Sequence, residues 1–421
     1  MFAGRDLVGG EACAAPCALS LPMARALAVS DVSDGDAGAG VEAARRHRAC
    51  AAADASAGGG FARPTARLEA FLDAEGVVPH DARLGLLLLH AARSGGEYWR
   101  YYARHVVPPL EAAPPLLAWS EAELAMLGDA RLANEGRELR ERADRIADEW
   151  RQAFTQRTLG SAPPTDAEAR WALAACSSRC FSTERPEEDW PAMVLLCPLL
   201  DLANHDVAPN AMWEYDAAAE GGEGAMRLVS CRPADPAEPE GVWLAQGDEV
   251  LISYSPSSDN RHLLTHYGFA VDANANDRLS AEDITRAGLA ALSAEAVLAC
   301  AGVSRDDLDW IIGDCGVRPP LDRRRLCAVA SLREAGRAAL PAARHVWLEQ
   351  AQAAAEAARQ LRLMAGELGT ELEGVPAEAL DARVSAAAAF REQRALLLGA
   401  AAGECDTLVK HCVREAEAMV E

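Results

Sequence analysis

Read by the spacing of its apolar positions, the chain changes character along its length. Residues 1–30 alternate short apolar pieces with Gly and Pro, the pattern of strands and turns. Residues 31–63 are rich in Ala, Gly and Asp, including "ACAAADASAGGG", and are expected to form a loop or a poorly ordered insert. From Arg63 to about Trp150 the apolar period is helical. There "RLEAFLDAEG" stops at Gly76 and "DARLGLLLLHAARSGG" stops at a Gly pair. "WSEAELAMLG" opens on Ser120 with Glu123 three residues later, a capping-box spacing. "DAEARWALAACSSRCF" reads as a further amphipathic helix.

The middle of the chain has a different period. "MVLLCPLLDLANHD", "AMWEYDA", "AMRLVSCRP" and "VWLAQGDEVLISY" are short strand-like runs separated by turn residues. From about Ala281 onward the chain is rich in Ala, Leu, Glu and Arg with a helical period, and "EQAQAAAEAARQLRLMAGELG" closes on Gly369. No internal repeat is found. The pattern predicts an α+β chain: β-rich segments at the start and middle, a helical insertion between them, and an all-helical end.

Composition changes this picture little, and charge changes it more. Half of the 421 residues are hydrophobic and a quarter are charged, so a large core is available without staples. A formal charge of -23 argues against a nucleic-acid partner, because phosphate backbones need a basic face. It suits basic partners, such as Lys-bearing protein segments. The twelve cysteines form no C-x-x-C pair, so they read as reduced core residues of an intracellular protein. No apolar run reaches the roughly 18 residues of a membrane span. Asp6, Glu11, Asp31, Asp34 and Asp36 are unlike a transit peptide. A cytoplasmic or nuclear protein is expected, with a chloroplast address only if a transit peptide lies upstream of Met1.

Few stretches carry candidate chemistry. In "LLDLANHD", residues 199–206, Asp201, Asn204 and His205 follow an apolar run, and an Asn amide both donates and accepts. In "CSSRCFS", residues 176–182, Arg179 closes a helix with a five-donor guanidinium, and Phe181 follows it. An Asn-rich turn and a helix-dipole cation are the structural alternatives for these two stretches. "HLLTH" places His262 and His266 four apart, but no third ligand is near, so no metal is expected. No nucleotide loop, dinucleotide fingerprint or G-x-S-x-G elbow occurs. In "EVLISYSPSSDNRHLLTHYGF" a strand ends on Tyr254, just where the chain turns over.

Taken together, "LCPLLDLANHD", a β-meander and "QGDEVLISYSPSSDNRHLLTHYGF" resemble the SET-domain methyltransferases. The branch they resemble is that of the Rubisco large-subunit lysine methyltransferase. "EYWRYYARHVVPPL", with its W-x-x-Y, "WSEAELAMLGDARL" and "DRLSAEDIT…AEAVLACAGV" agree with the same branch. The resemblance implies a SET fold of small β-sheets with a pseudoknot over residues 1–270, with a helical insertion at about 64–165. It implies a helical substrate-binding domain over residues 271–421. It implies S-adenosylmethionine as cofactor, held by Arg179, Asp201, Asn204, His205, Tyr267, Gly268 and Phe269. Arg179, Phe181, Asp201 and Tyr267 would meet the substrate, and Tyr254 would be the catalytic tyrosine. The acceptor it implies is a lysine of a protein substrate, with the enzyme a monomer. A relative in this branch that methylates a histidine carries Asn where this chain has Phe181, so the aromatic favours lysine.

The chain also departs from the family pattern. The Gly-rich strand expected before "GRDLVGGE" is not in the sequence, which would leave the cofactor site without one wall. Ser255 stands where the pattern has Gly, and Asp259 and Arg261 where it has Asn and Glu. These departures leave a second expectation, a SET-fold protein-binding module with impaired catalysis.

Overall fold

The computed structural model describes residues 7–8, 17–31, 37–53, 60–74, 77–154, 162–183, 192–217, 224–231, 242–289, 340–369 and 382–418. Gly76, residues 9–16 and the stretch "AEAVLACAGV", all used above, lie outside them. The chain divides into two compact units. The first holds Met1–Ser120, Arg131–Ser257 and Thr265–Gly268, and the second holds Glu121–Ala130, Ser258–Leu264 and Phe269–Glu421.

The first unit is built on small sheets. β2 (Cys17–Pro22), β8 (Ala225–Ser230) and β7 (Ala211–Asp216) pair antiparallel in the order β2-β8-β7. β3 (Leu27–Ser30), β5 (Met193–Leu196) and β4 (Cys180–Ser182) pair antiparallel in the order β3-β5-β4. β1 (Leu7–Val8) pairs with β9 (Val242–Leu244). β10 (Leu251–Ile252) pairs with β6 (Asn204–His205) in parallel, with Leu251 opposite Asn204 and Ile252 opposite His205. A parallel pair cannot be closed by a tight turn. The chain therefore leaves β6, makes the β7–β8 meander and β9, and returns beside its earlier self. The short apolar runs of the sequence are these strands, each long enough to cover one patch of a shared core. That core holds Met193, Leu195, Met226, Leu228 and Ile252.

The insertion, from about residue 64 to β4, is helical, as the period predicts. α2 (Ala66–Leu72), α3 (His80–Ser94), α4 (Glu97–Tyr101), α6 (Ala130–Ala153) and α7 (Asp166–Arg179) are its helices; α5 (Glu121–Ala125) lies in the second unit. α3 is buried from Ala82 to Ala91 and packs on Leu27 and Val29 of β3. Its Arg83 is buried, but every arm is used: Nη1 donates to Ser30 Oγ at 2.9 Å and Nη2 to the Ser30 carbonyl at 2.7 Å. α4 runs on into a π-helical turn, Tyr102–Val106. That turn tucks Tyr102 into the core. α7 starts from a full capping box, Thr165 with Glu168.

One expectation is corrected. Residues 37–53, read as loop, form α1 (Ala37–Ala53). Alanine is the strongest helix former, so an Ala-rich run signals helix unless Gly and Pro dominate it. Side chains also tie this helix down. The buried Arg48 donates to Glu69 at 2.9 Å and pairs with Asp73, and Arg45 Nη2 reaches Asp73 at 2.8 Å.

The second unit is helical over its described residues. α10 (Leu340–Gly369) and α11 (Ala382–Glu417) pack through Leu361, Met364 and Leu368 against Leu398, Ala402 and Cys405, with α9 (Ala281–Arg286) adding Ile284. Buried Arg391 donates to the Leu368 carbonyl, filling an acceptor that the end of α10 leaves open. α8 (Asn260–Tyr267) begins in this unit, and its last turn counts with the first. No described helix is long and apolar enough to cross a membrane.

Candidate active site

The returning strand decides where Tyr254 goes. β10 is held beside β6, and Tyr254 follows it by two residues. Its backbone N–H donates to His205 Nδ1 at 3.1 Å, and its hydroxyl donates to the Ala203 carbonyl at 3.0 Å. The phenol is thus fixed at both ends by the Ala203–His205 segment. The ring lies 5.3 Å from that of His205 and 4.6 Å from that of Tyr267. Because His205 Nδ1 accepts, its proton sits on Nε2 and the ring is neutral. Burial lowers the His205 pKa, in keeping with that state. Burial raises the pKa of Tyr254, and that of Tyr267 to about 12, so both phenols stay protonated.

A cavity of about 360 Å³ opens next to Tyr254. Arg179, Phe181, Asp201, Tyr254 and Tyr267 line it, all singled out from the sequence. Ser178, Cys180, Ser182, Ala203, Trp213, Ile252 and Ser253 complete the wall. Phe181 is buried in the sheet core, stacks edge-on against Trp213 at 5.9 Å, and also lines the cavity. Arg179 ends α7 and Asp201 sits in the turn before β6. The guanidinium Nη1 donates to Asp201 Oδ2 at 3.0 Å and to its carbonyl at 3.3 Å. Tyr102 donates its hydroxyl to the same Oδ2 at 2.6 Å. Burial is the largest influence on the carboxyl and raises its pKa; Arg179 and Tyr102 oppose it. Asp201 Oδ1 and Arg179 Nε are buried without a hydrogen-bond partner. Tyr102 carried no role in the sequence reading, although the W-x-x-Y spacing of Trp99 and Tyr102 marked the element it stands on.

The turn that presents Asp201 is unusual. Leu199 has φ 80° and ψ -44°, the form of a strained γ-turn, and is one of two non-Gly residues with positive φ among those described. The Asn-rich turn considered for this stretch does not form: the turn lies at Leu199–Leu202, and Asn204 and His205 stand in β6.

Asn204 and His205 lie beside the cavity rather than in its wall. The Asn204 side chain is exposed, and its amide donates to Glu249 Oε1 at 2.6 Å. Gly268 follows Tyr267 with φ +71°, and a Cβ there would sit 2.7 Å from Pro114 Cβ and closer still to the Pro114 carbonyl. Gly268→Ala is therefore expected to cost about 3 kcal/mol or more, from strain and overlap together. A lowered midpoint in chemical denaturation checks it. Phe269 belongs to the second unit.

The residues that departed from the family pattern are accommodated. Ser255 has no left-handed backbone angle, so Gly is not required there. Asp259 Oδ1 accepts the His262 N–H at 2.8 Å, which needs only an acceptor. Arg261 pairs with Asp129, which also meets Arg394 Nε at 3.2 Å. The two histidines of "HLLTH" have different surroundings: His262 is exposed, and His266 Nδ1 lies 2.9 Å from Ser177 Oγ.

No family model matches the chain. Among curated proteins it is similar to the ribosomal lysine N-methyltransferase set10 of Schizosaccharomyces pombe, 28% identical over 110 residues. Those residues are 26% of this chain and span only 18% of that relative's length. Among solved structures it is similar to the SET domain of LSMT bound to lysine and AdoHcy, at 18% identity and TM-score 0.49, covering 99% of this chain and 85% of that one. Rubisco LSMT bound to sinefungin and monomethyllysine gives 17% identity and TM-score 0.49, covering 99% of this chain and 86% of that one. The resemblance to SET-domain lysine methyltransferases, read above from motifs, is thus met by an independent sequence match. The small sheets and the helical C-terminal region are as expected from it.

Proposed function

We propose that this chain transfers a methyl group from S-adenosylmethionine to a lysine side chain of a protein substrate. The observation that carries the reading is the β6–β10 pairing, which sets Tyr254 over His205 and at the edge of a cavity walled by Asp201 and Arg179. The cofactor supplies an electrophilic methyl on a sulfonium. The wall suits such a cation: Arg179 is its one Lys or Arg and is paired with Asp201, and the Tyr254 and Tyr267 rings present electron-rich faces. Arg179 Nε and Asp201 Oδ1, a donor and an acceptor still unmatched, suit the polar end of a ligand. Asn204, His205, Gly268 and Phe269 are assigned to the cofactor by resemblance.

The acceptor must arrive as a neutral amine, and a free lysine holds its proton to a pKa near about 10.4. Phe181, Trp213 and Ile252 make part of the wall apolar, which disfavours the ammonium and promotes loss of that proton. An aromatic wall also matches the aliphatic stem of lysine. Tyr254 donates to Ala203, so its oxygen keeps lone pairs that can accept from the amine or from a polarised C–H group.

The test has two stages. Calorimetric titration of the full chain with S-adenosylmethionine is expected to show saturable binding. Transfer of tritiated methyl to a peptide panel is expected to label lysine and spare histidine. Absence of binding would leave a protein-binding module, and labelling of histidine alone would reverse the acceptor.

A further inference from the structure

We propose that Tyr102, carried by the helical insertion, is a positioning residue for this site: its hydroxyl, held 2.6 Å from Asp201 Oδ2, fixes the carboxylate that in turn fixes the Arg179 guanidinium in the cavity wall. The inference rests on the methyl-transfer reading and adds to it a residue far from the sheet core in sequence.

Three observations meet here. First, Tyr102 is fully packed, with its ring 6.2 Å from that of Trp99, so the hydroxyl has one direction to point. Second, the backbone that presents it is a π-helical turn in which the Val107 N–H reaches the Tyr102 carbonyl at 3.0 Å. Such turns are uncommon and gather at functional sites, because the extra residue re-aims a side chain. Third, Asp201 Oδ2 takes both Tyr102 and Arg179, so one oxygen joins the π-helical turn after α4 to the end of α7. Without the phenol, Asp201 Oδ2 would keep only Arg179 of its two side-chain donors, and the guanidinium would lose a rigid anchor.

The groups facing Asp201 are Arg179, Tyr102, Cys197 and Tyr254. Burial raises the pKa of Cys197, Tyr102 and Tyr254, so all three are already protonated and neutral and do not change charge as pH falls. Asp201 is the group among them that gains a proton on the acid side. Tyr102 favours its charged form, so removing the hydroxyl raises its pKa further and moves any acid limb of function upward. His205 lies on the other side of Tyr254, its ring 5.3 Å away and its pKa lowered by burial, and it does not touch the carboxylate.

The experiment is the pH profile of kcat/KM, with S-adenosylmethionine binding in parallel, for the wild type and Tyr102→Phe. The acid limb is expected to move up by about one pH unit, with about a tenfold loss on the limb and recovery toward the plateau at higher pH. Tyr102→3-fluorotyrosine, a stronger donor of nearly the same shape, should move it down, which covers the case in which the Phe variant folds poorly. On an Asp201→Asn background, Tyr102→Phe should move no limb. An unmoved limb in a folded variant, or a uniform loss at every pH, overturns the positioning role while leaving methyl transfer intact. A wild type that neither binds the cofactor nor transfers methyl overturns the methyl-transfer reading, and this inference with it.

Discussion

Tyr254→Phe should leave the chain folded and reduce methyl transfer by at least about a hundredfold, the usual scale for losing one preorganised polar group at a reacting centre. The ring accounts for most of this residue's packing, against His205 and Tyr267, and phenylalanine keeps it. What is lost is the hydroxyl and its 3.0 Å hydrogen bond to Ala203. That bond aims the phenol oxygen; the Tyr254 N–H to His205 Nδ1 holds the backbone independently of it. Cofactor binding should therefore change little, and the loss should fall on kcat. Initial rates of tritiated-methyl transfer, with cofactor affinity measured separately, check both halves. A variant with full kcat would remove Tyr254 from the chemistry, and one that no longer binds cofactor would make its role structural.

The strands and helices were legible because each has its own period. The strand-like runs "MVLL", "AMWEYD" and "AMRLVS" became β5, β7 and β8, and the helical period before Trp150 became the insertion. What the period could not say was which strand lies beside which. The β6–β10 pair joins residues 204–205 to residues 251–252, and both strands are two residues long. A two-residue strand has no alternation to read. Only the motif resemblance brought Asn204 and Tyr254 together. Composition misled at Ala37–Ala53, where small residues suggested a loop and the Arg45 and Arg48 ion pairs made a packed helix.

The site divides in the same way. Arg179, Phe181, Asp201, Tyr254 and Tyr267 stand in motif blocks and line one cavity. Tyr102 was invisible as a site residue because its partner is 99 positions away and its hydroxyl is aimed by a π turn. Ser255 and Asp259 were read as damage because a pattern records residue types and not angles or hydrogen bonds. The backbone at Ser255 makes no demand for Gly, and Asp259 does a helix cap's work.

Asp201→Ala is expected to lower the stability of the first unit by about 3–5 kcal/mol and to abolish methyl transfer. The Asp201 side chain is 0% exposed and that of Arg179 15%, so water can do little to replace the lost partner. Removing the carboxylate strands a guanidinium whose Nε already lacks a partner, and leaves the Tyr102 hydroxyl without its acceptor. Desolvation raises the Asp201 pKa in spite of Arg179 and Tyr102, so keeping this charge in the interior is costly. A pair kept only for stability would be a poor solution, because apolar residues of similar volume often serve as well. Asp201→Leu combined with Arg179→Met should therefore recover much of the stability lost in Asp201→Ala, yet stay inactive. Urea denaturation followed by fluorescence of the core residues Trp99 and Trp150, beside a methyl-transfer assay, reads both quantities. If the apolar pair restored activity along with stability, the ion pair would be structural and the cavity's polarity would have no part in the reaction. If neither returned, the Tyr102 hydroxyl left without an acceptor would be the larger cost.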